Sequence, residues 1–206
     1  LQTCPYHPQK PLFETMAAKY HGDSFITDQV QKLHLKLKYK MKVKSLTDLL
    51  ILNKDAEHTG VTIIGANGPD AFISYKTLFR QARKVLFHFQ NTGLRPGSEI
   101  VMQTGQLENF LYVFWAAVLG GYIPVPFPVK GGGETANHLS EIWKQLDNPR
   151  LITDNGDAAL KETGKTIHCD TLLPKGQRKL GKPVPRSTED IAFIQYSAGS
   201  TGKPKG

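Results

Sequence analysis

The chain has two cysteines in 206 residues, Cys4 and Cys169, and neither sits in a CxxC pair or beside histidines at ligand spacing. That argues against a disulfide framework and against a zinc site, and makes free thiols of a cytoplasmic protein the expectation. The opening stretch, LQTCPYHPQKP, lacks the basic start and apolar core of a secretory signal. Charge is missing from one long run, FLYVFWAAVLGGYIPVPFPV at 110–129, over a length that could cross a bilayer. Gly120 and Gly121 end any helix early, however, and Pro124, Pro126 and Pro128 would leave backbone groups unpaired in lipid. The run reads as a buried helix followed by a buried extended segment, with no membrane span. No internal repeat is found.

Acidic residues are absent from a second window, KLHLKLKYKMKVK at 32–44, which holds six lysines; of the net charge of +8, only +2 is left for the remainder. Leu33, Leu35, Leu37, Tyr39, Met41 and Val43 alternate there with Lys32, His34, Lys36, Lys38, Lys40, Lys42 and Lys44, the period of a strand with one dry face. Lysines on an edge or linker strand discourage unwanted pairing, and this is the favoured reading. The competing one is a polyanion-binding stripe, but no aromatic or arginine interleaves to stack on bases or grip phosphate, so nucleic acid is not an expected partner.

From Ser45 the periodicity becomes helical. SLTDLLILNKDAEHTG predicts a helix begun by Ser45, with Leu46, Leu49, Leu50 and Leu52 on one face, closing near Gly60. VTIIGA and AFISY, separated by a turn at NGPD, predict a pair of strands. Behind Ser74, the residues Leu78, Phe79, Ala82, Val85, Leu86 and Phe89 recur at three- and four-residue steps, with Gly93 as the stop. His88 on this helix has no second metal-type residue a turn away and reads as a flank residue. A turn at Pro96-Gly97 leads to a strand, a buried helix begins around Gln106, and YIPVPF is extended. Ala136, Leu139, Ile142, Trp143 and Leu146 then outline a further helix. RLITD, DAALKETG and TIHCD supply strand, helix and strand, and a polar connector at 172–190 precedes a last strand, IAFIQY. This alternation over 61–196 predicts an α/β layered fold with a largely parallel sheet.

Two glycine-rich loops compete as the chemical site. GGGETA at 131–136 offers Gly131, Gly133 and Ala136 in a dinucleotide spacing, with Asp154 about twenty residues on, where a ribose-binding acid would sit. The prolines of the preceding strand remove too many ladder donors for a central first strand, so a surface loop is the better account. The second loop is YSAGSTGKPKG at 196–206. It is not a Walker loop, because Pro204 stands where the magnesium-binding hydroxyl would follow Gly202-Lys203. Its composition nevertheless suits phosphate: Gly199, Gly202 and Gly206 allow close backbone approach, Ser197, Ser200 and Thr201 add hydroxyls, and Lys203 and Lys205 add positive charge. On composition alone a solvated linker explains these residues equally well.

IQYSAGSTGKPKG resembles the phosphate-binding signature of the adenylate-forming superfamily, which comprises acyl-CoA synthetases, luciferases and the adenylation domains of nonribosomal peptide and polyketide synthetases. The match covers Tyr196, Ser197, Gly199, Ser200, Thr201, Gly202, Pro204, Lys205 and Gly206; Ala198 departs from it, where a serine is usual. FISYKTLFRQA, GLRPGSEIVMQ and FWAAVLGGYIPVPF resemble the family's preceding elements in the same order. The resemblance spans roughly 45–206 and is closest to domains within hybrid synthetases, with 1–44 left as a linker or leader.

The resemblance implies ATP-dependent activation of a carboxylic or amino acid as its adenylate, with Mg2+, followed by transfer to a carrier-protein phosphopantetheine thiol, as in secondary metabolite biosynthesis. It implies that Ser197, Gly199, Ser200, Thr201, Gly202, Lys205 and Gly206 cradle the β- and γ-phosphates. Lys203 fills a variable position, and Lys205 serves as the catalytic cation. No metal ligand is expected in this stretch. The first residue is not Met and the last falls inside the signature, so the chain is expected to be an N-terminal portion of the domain, inactive alone. A stand-alone acyl-CoA or fatty-acyl-AMP ligase and a noncatalytic nucleotide-binding fragment are the alternatives.

Overall fold

The structure, a computed structural model, describes residues 43–65, 68–129, 133–154, 165–197 and 206. The chain divides into two units, Leu1–Lys42 and Val43–Gly206, and all described residues belong to the second. The lysine-rich strand expected at 32–44 lies outside the described residues except for Val43 and Lys44. These two are not in a strand; they lead into the first helix.

Helix α1 (Leu46–Leu52) starts where the sequence places it, because Ser45 and Asp48 form a reciprocal capping box. The backbone N–H of Lys44, followed by the hydrogen bonds of Ser45, holds the Asp48 carboxyl below its ordinary range. The helix does not run on toward Gly60 as expected. Asn53 caps it, its side-chain amide donating to Leu49 O at 2.8 Å, and so short a helix buries a single stripe. Leu50 is 2% exposed, but Leu49 and Leu52 are 42% and 46% exposed. Strands β1 (Gly60–Ile63) and β2 (Ala71–Ser74) pair antiparallel, with Gly60 opposite Ser74.

Ser74 caps α2 (Tyr75–Asn91) by accepting from Thr77 N, and Leu78, Ala82, Val85, Leu86 and Phe89 are all buried. The helix closes before Gly93, whose φ of 75° suits a residue without a Cβ. Against it packs α3 (Leu107–Gly120), apolar nearly all round as a core helix must be. Among the described residues no helix is long and apolar enough to cross a membrane.

The main sheet has the order β4-β3-β5-β6, with β3 (Glu99–Gln103), β4 (Ile123–Pro126), β5 (Arg150–Thr153) and β6 (Thr166–His168) all parallel. Every residue of the central strand β3 is buried. Ile100, Met102 and Ile152 face the cluster built on α2 and α3, while Val101, Val125 and Leu151 face Leu139 of α4 (Gly133–Gln145). Alternation of side chains thus gives the sheet two dry faces with helices on both, the layered α/β arrangement that the sequence predicts. The strand expected over TIHCD ends at His168. Its carbonyl accepts from the Thr171 hydroxyl at 2.7 Å, and Cys169 and Asp170 turn into the one-turn helix α5 (Cys169–Leu172). The helix expected at 157–164 lies outside the described residues.

The polar connector is a strap. Gly181 N donates to Arg83 O at 2.7 Å, and Arg83 Nε donates back to Gly181 O at 2.9 Å. Gln90 pairs its amide with both backbone groups of Lys182, and Val184 N donates to Leu119 O at 2.7 Å. A Cβ on Gly181 would stand 2.7 Å from the Leu86 carbonyl carbon and the Phe87 nitrogen, so only glycine lets the strap lie on the helix backbone.

Candidate functional site

The strap delivers the chain to residues 191–197, and here the expected last strand is not formed. Ile191–Tyr196 is extended, and among the described residues its one backbone–backbone bond runs from Ile194 N to Pro124 O at 3.0 Å, with Ser197 in a single bridge. The reason lies in β4. Ile123 N donates to Ser98 O and Phe127 N to Met102 O, so the odd-numbered residues of this strand face β3. The intervening Pro124 and Pro126 face away from β3 and have no N–H to give. The prolines that seemed hostile to a strand sit on the outer edge, where their missing donors disrupt no ladder. The neighbouring chain can donate to that edge but receives nothing from those two positions.

Of the residues expected to hold phosphate, the structure describes two, Ser197 and Gly206. Ser197 is exposed at the end of the extended segment. Gly206 lies against the ring of Tyr196: a Cβ there would be 2.9 Å from Cε1 and Cζ and 3.1 Å from Ile194 Cγ2. Any larger residue would have to push the ring aside. Tyr196 and Ile194 in turn pack on the cluster of Val101, Val125, Leu139 and Leu151. Burial, then the charge of Glu99, pushes the Tyr196 hydroxyl above its ordinary range, so it stays protonated as a donor. The two described ends of the signature are therefore fixed to the sheet through one aromatic ring. Gly199, Ser200, Thr201, Gly202, Lys203 and Lys205 lie outside the described residues.

At the carboxyl ends of β3 and β5 the chain leaves in opposite directions, the place where open parallel sheets form a crevice. Asp154 occupies it. Its carboxylate accepts from Gly105 N and Gln106 N, all three contacts at 2.9 Å, and so caps the start of α3. The Asp154 carboxylate considered for a ribose is instead engaged by internal bonds, and the surface loop expected at 131–136 is not a loop where it is described, because residues 133–136 are the first turn of α4. Gly131 lies outside the described residues, and Gly133 opens α4. The buried Thr104 hydroxyl at the end of β3 has no hydrogen-bond partner among the described residues. His88 is half-buried, hydrogen-bonded at 3.2 Å to Gln177 of the strap, and desolvation lowers its pKa. Among the described residues no group of His, Cys, Asp or Glu could hold a metal ion.

Sequence reasoning missed Arg186. Its Nη1 donates to Gly121 O at 3.3 Å, its Nη2 to Ile191 O at 3.1 Å, and its Nε lies 3.4 Å from Asp190 Oδ2. A lone arginine in a polar connector carries no periodic signal, and only the i,i+4 spacing to Asp190 hinted at a partner.

A parallel sheet with helices on both faces, beside whose edge strand Ile194 and Tyr196 pack, defines a doubly wound α/β domain. The chain belongs to the AMP-binding enzyme family, whose model matches residues 53–206. It is 24% identical over 140 residues to surfactin synthase subunit 1 of Bacillus subtilis (strain 168), covering 66% of this chain and 4% of that one. To the nonribosomal peptide synthetase apvA of Aspergillus terreus it is 27% identical over 177 residues, covering 80% and 19%. Among solved structures it is similar to McyG A-PCP complexed with phenylalanyl-adenylate, with 27% identity, a TM-score of 0.70, and coverage of 79% of this chain and 28% of that one. The chain thus spans less than a third of the length of each of these relatives.

Proposed function

We propose that this chain supplies the phosphate-holding part of a domain that activates a carboxylic or amino acid with ATP and passes it to a carrier-protein thiol in a nonribosomal peptide or polyketide synthetase. The observation that carries this reading is that the family match runs to the signature, whose last residue, Gly206, lies against the ring of Tyr196, the residue before Ser197. In this reading residues 45–206 belong to the adenylation domain and 1–44 form a leader ahead of it.

In the reaction the acid's carboxylate oxygen bonds to the α-phosphorus of ATP, and the bond to the β-phosphate oxygen breaks. An acyl adenylate forms and pyrophosphate leaves with the electron pair. Ser197, Ser200 and Thr201 would donate hydroxyls to the departing phosphates. Gly199, Gly202 and Gly206 would let main-chain N–H groups approach. Lys205, with Lys203 beside it, would carry the balancing charge, and preplaced donors of this kind are worth most where negative charge develops. Magnesium fits this chemistry as an ion that arrives with the nucleotide and keeps several of its waters. The thiol of a phosphopantetheine arm then takes the acyl group and releases AMP.

The test is acid-dependent exchange of pyrophosphate into ATP by the complete protein against a panel of amino, hydroxy and fatty acids. The Thr201→Ala, Lys205→Ala double variant is expected to lose about a hundredfold or more, since single oxyanion donors are worth that much. Unchanged ATP binding and exchange in the double variant would refute the reading. Acyl transfer to coenzyme A rather than to a carrier protein would replace the synthetase with a stand-alone ligase.

A further inference from the structure

The edge of β4 leaves a problem of register. A ladder normally fixes how one strand lies beside its neighbour, because a slip of one residue turns every side chain to the opposite face. Residues 191–196 lack that security: Pro124 and Pro126 give them no donors, and among the described residues the backbone bond that joins them to β4 runs from Ile194 N to Pro124 O, with Ser197 in a bridge beyond it. Yet Ile194 and Tyr196 must face the Val101 and Val125 cluster for Tyr196 to meet Gly206.

We infer that Arg186 is the positioning residue that sets this register, and with it the place of Ser197 and Gly206. The side chain is only 17% exposed. Its guanidinium joins two carbonyls: Gly121 O, in the turn between α3 and β4, and Ile191 O, at the start of the extended segment. Gly121 is itself held, its carbonyl also accepting from Gly97 N at 2.7 Å and its φ of 73° fixing the turn. One end of the clamp is thus anchored to the sheet's own frame. On the other side Asp190 accepts from Ser187 N at 2.7 Å and faces Arg186 Nε, closing a tight turn that aims the guanidinium at Ile191. The planar fork of arginine suits two carbonyls at once, which a single ammonium does not. The strap holds the backbone on the near side of Arg186 through Gly181, Lys182 and Val184. Strap, clamp and Ile194 bond therefore act in series on the segment that ends at Ser197.

This inference rests on the reading that residues 197–206 hold the nucleotide's phosphates, and one arm of its test does not depend on that reading. In the complete protein, Arg186→Ala and Arg186→Lys are compared with wild type. Amide hydrogen exchange in a peptide covering 191–197 is expected to speed up at least tenfold in both variants, with β3 and β5 unchanged. In pyrophosphate exchange, the KM for ATP is expected to rise about tenfold in both while the KM for the acid stays within twofold. Unchanged exchange at 191–197, equal rises in both KM values, or full rescue by lysine would each overturn the proposal; rescue by lysine would mean that charge alone suffices. If the wild-type protein activates no acid, the functional reading falls, and the hydrogen-exchange comparison still decides what Arg186 does.

Discussion

The Asp154 carboxylate, at the end of β5, accepts the backbone N–H of Gly105 through both of its oxygens at 2.9 Å. With the third bond from Gln106 N, one side chain ties the ends of two neighbouring strands and caps α3 across 48 residues of sequence. A carboxylate at a helix start also meets the positive end of the helix dipole.

Replacing Asp154 with Ala is expected to destabilise the protein by about 1–2 kcal/mol, the usual loss of a helix cap. Asp154→Asn keeps an acceptor and should lose less than half of that. Urea unfolding followed by circular dichroism measures both. Equal losses in the two variants would show that charge, and not the hydrogen bonds, makes the cap.

His88 gives the strap a dependence on acid. Desolvation lowers its folded pKa below the ordinary 6.5 of histidine, so the unfolded chain takes up the proton more readily. The stability that neutral His88 contributes is fully present above pH 6.5 and is lost as the pH falls through the lower folded value. The unfolding midpoint in urea should therefore drop between pH 7 and pH 5.5, and His88→Gln should flatten that part of the profile. A slope unchanged in the variant would assign the acid sensitivity elsewhere.

Cys169 should be chemically silent in the folded protein. The thiol is 3% exposed. Burial first, then the charges of Asp154 and Asp170, push it up to about 12 from 9.0. With Cys4 changed to Ser, alkylation by iodoacetamide at pH 8 should be at least a hundredfold slower in native buffer than in urea. The shift also predicts alkaline sensitivity: the protonated thiol favours the folded state, so its contribution is intact below pH 9 and is lost as the pH rises toward 12. Cys169→Ala should remove that part of the decline.

The helices and their limits were largely legible from the sequence. Ser45 and Ser74 cap as their hydroxyls dictate, the stripe from Leu78 to Phe89 is buried as its spacing demands, and Gly93 has the positive φ of a stop. Three expectations went further than local patterns can. Leu49 and Leu52 were read as part of a longer dry face, but α1 ends at Asn53 and leaves them in the open. TIHCD reads as a strand throughout, yet its last two residues turn into α5. IAFIQY reads as a strand, but Pro124 and Pro126 of its neighbour have no donors to give it a ladder.

By itself the sequence determined the class of fold and the family. Capping, hydrophobic period and the run of glycine, hydroxyl and lysine all act within a few residues of one another, where side-chain order along the chain is enough. What tertiary structure alone decided is where those pieces meet. The side of β4 on which the prolines lie, the partners of Asp154, the course of the strap over α2, and the clamp of Arg186 on Gly121 and Ile191 join residues as far as 98 apart. Such pairings depend on the direction in which each backbone group points once the sheet is assembled, and no periodicity along a single element records that direction.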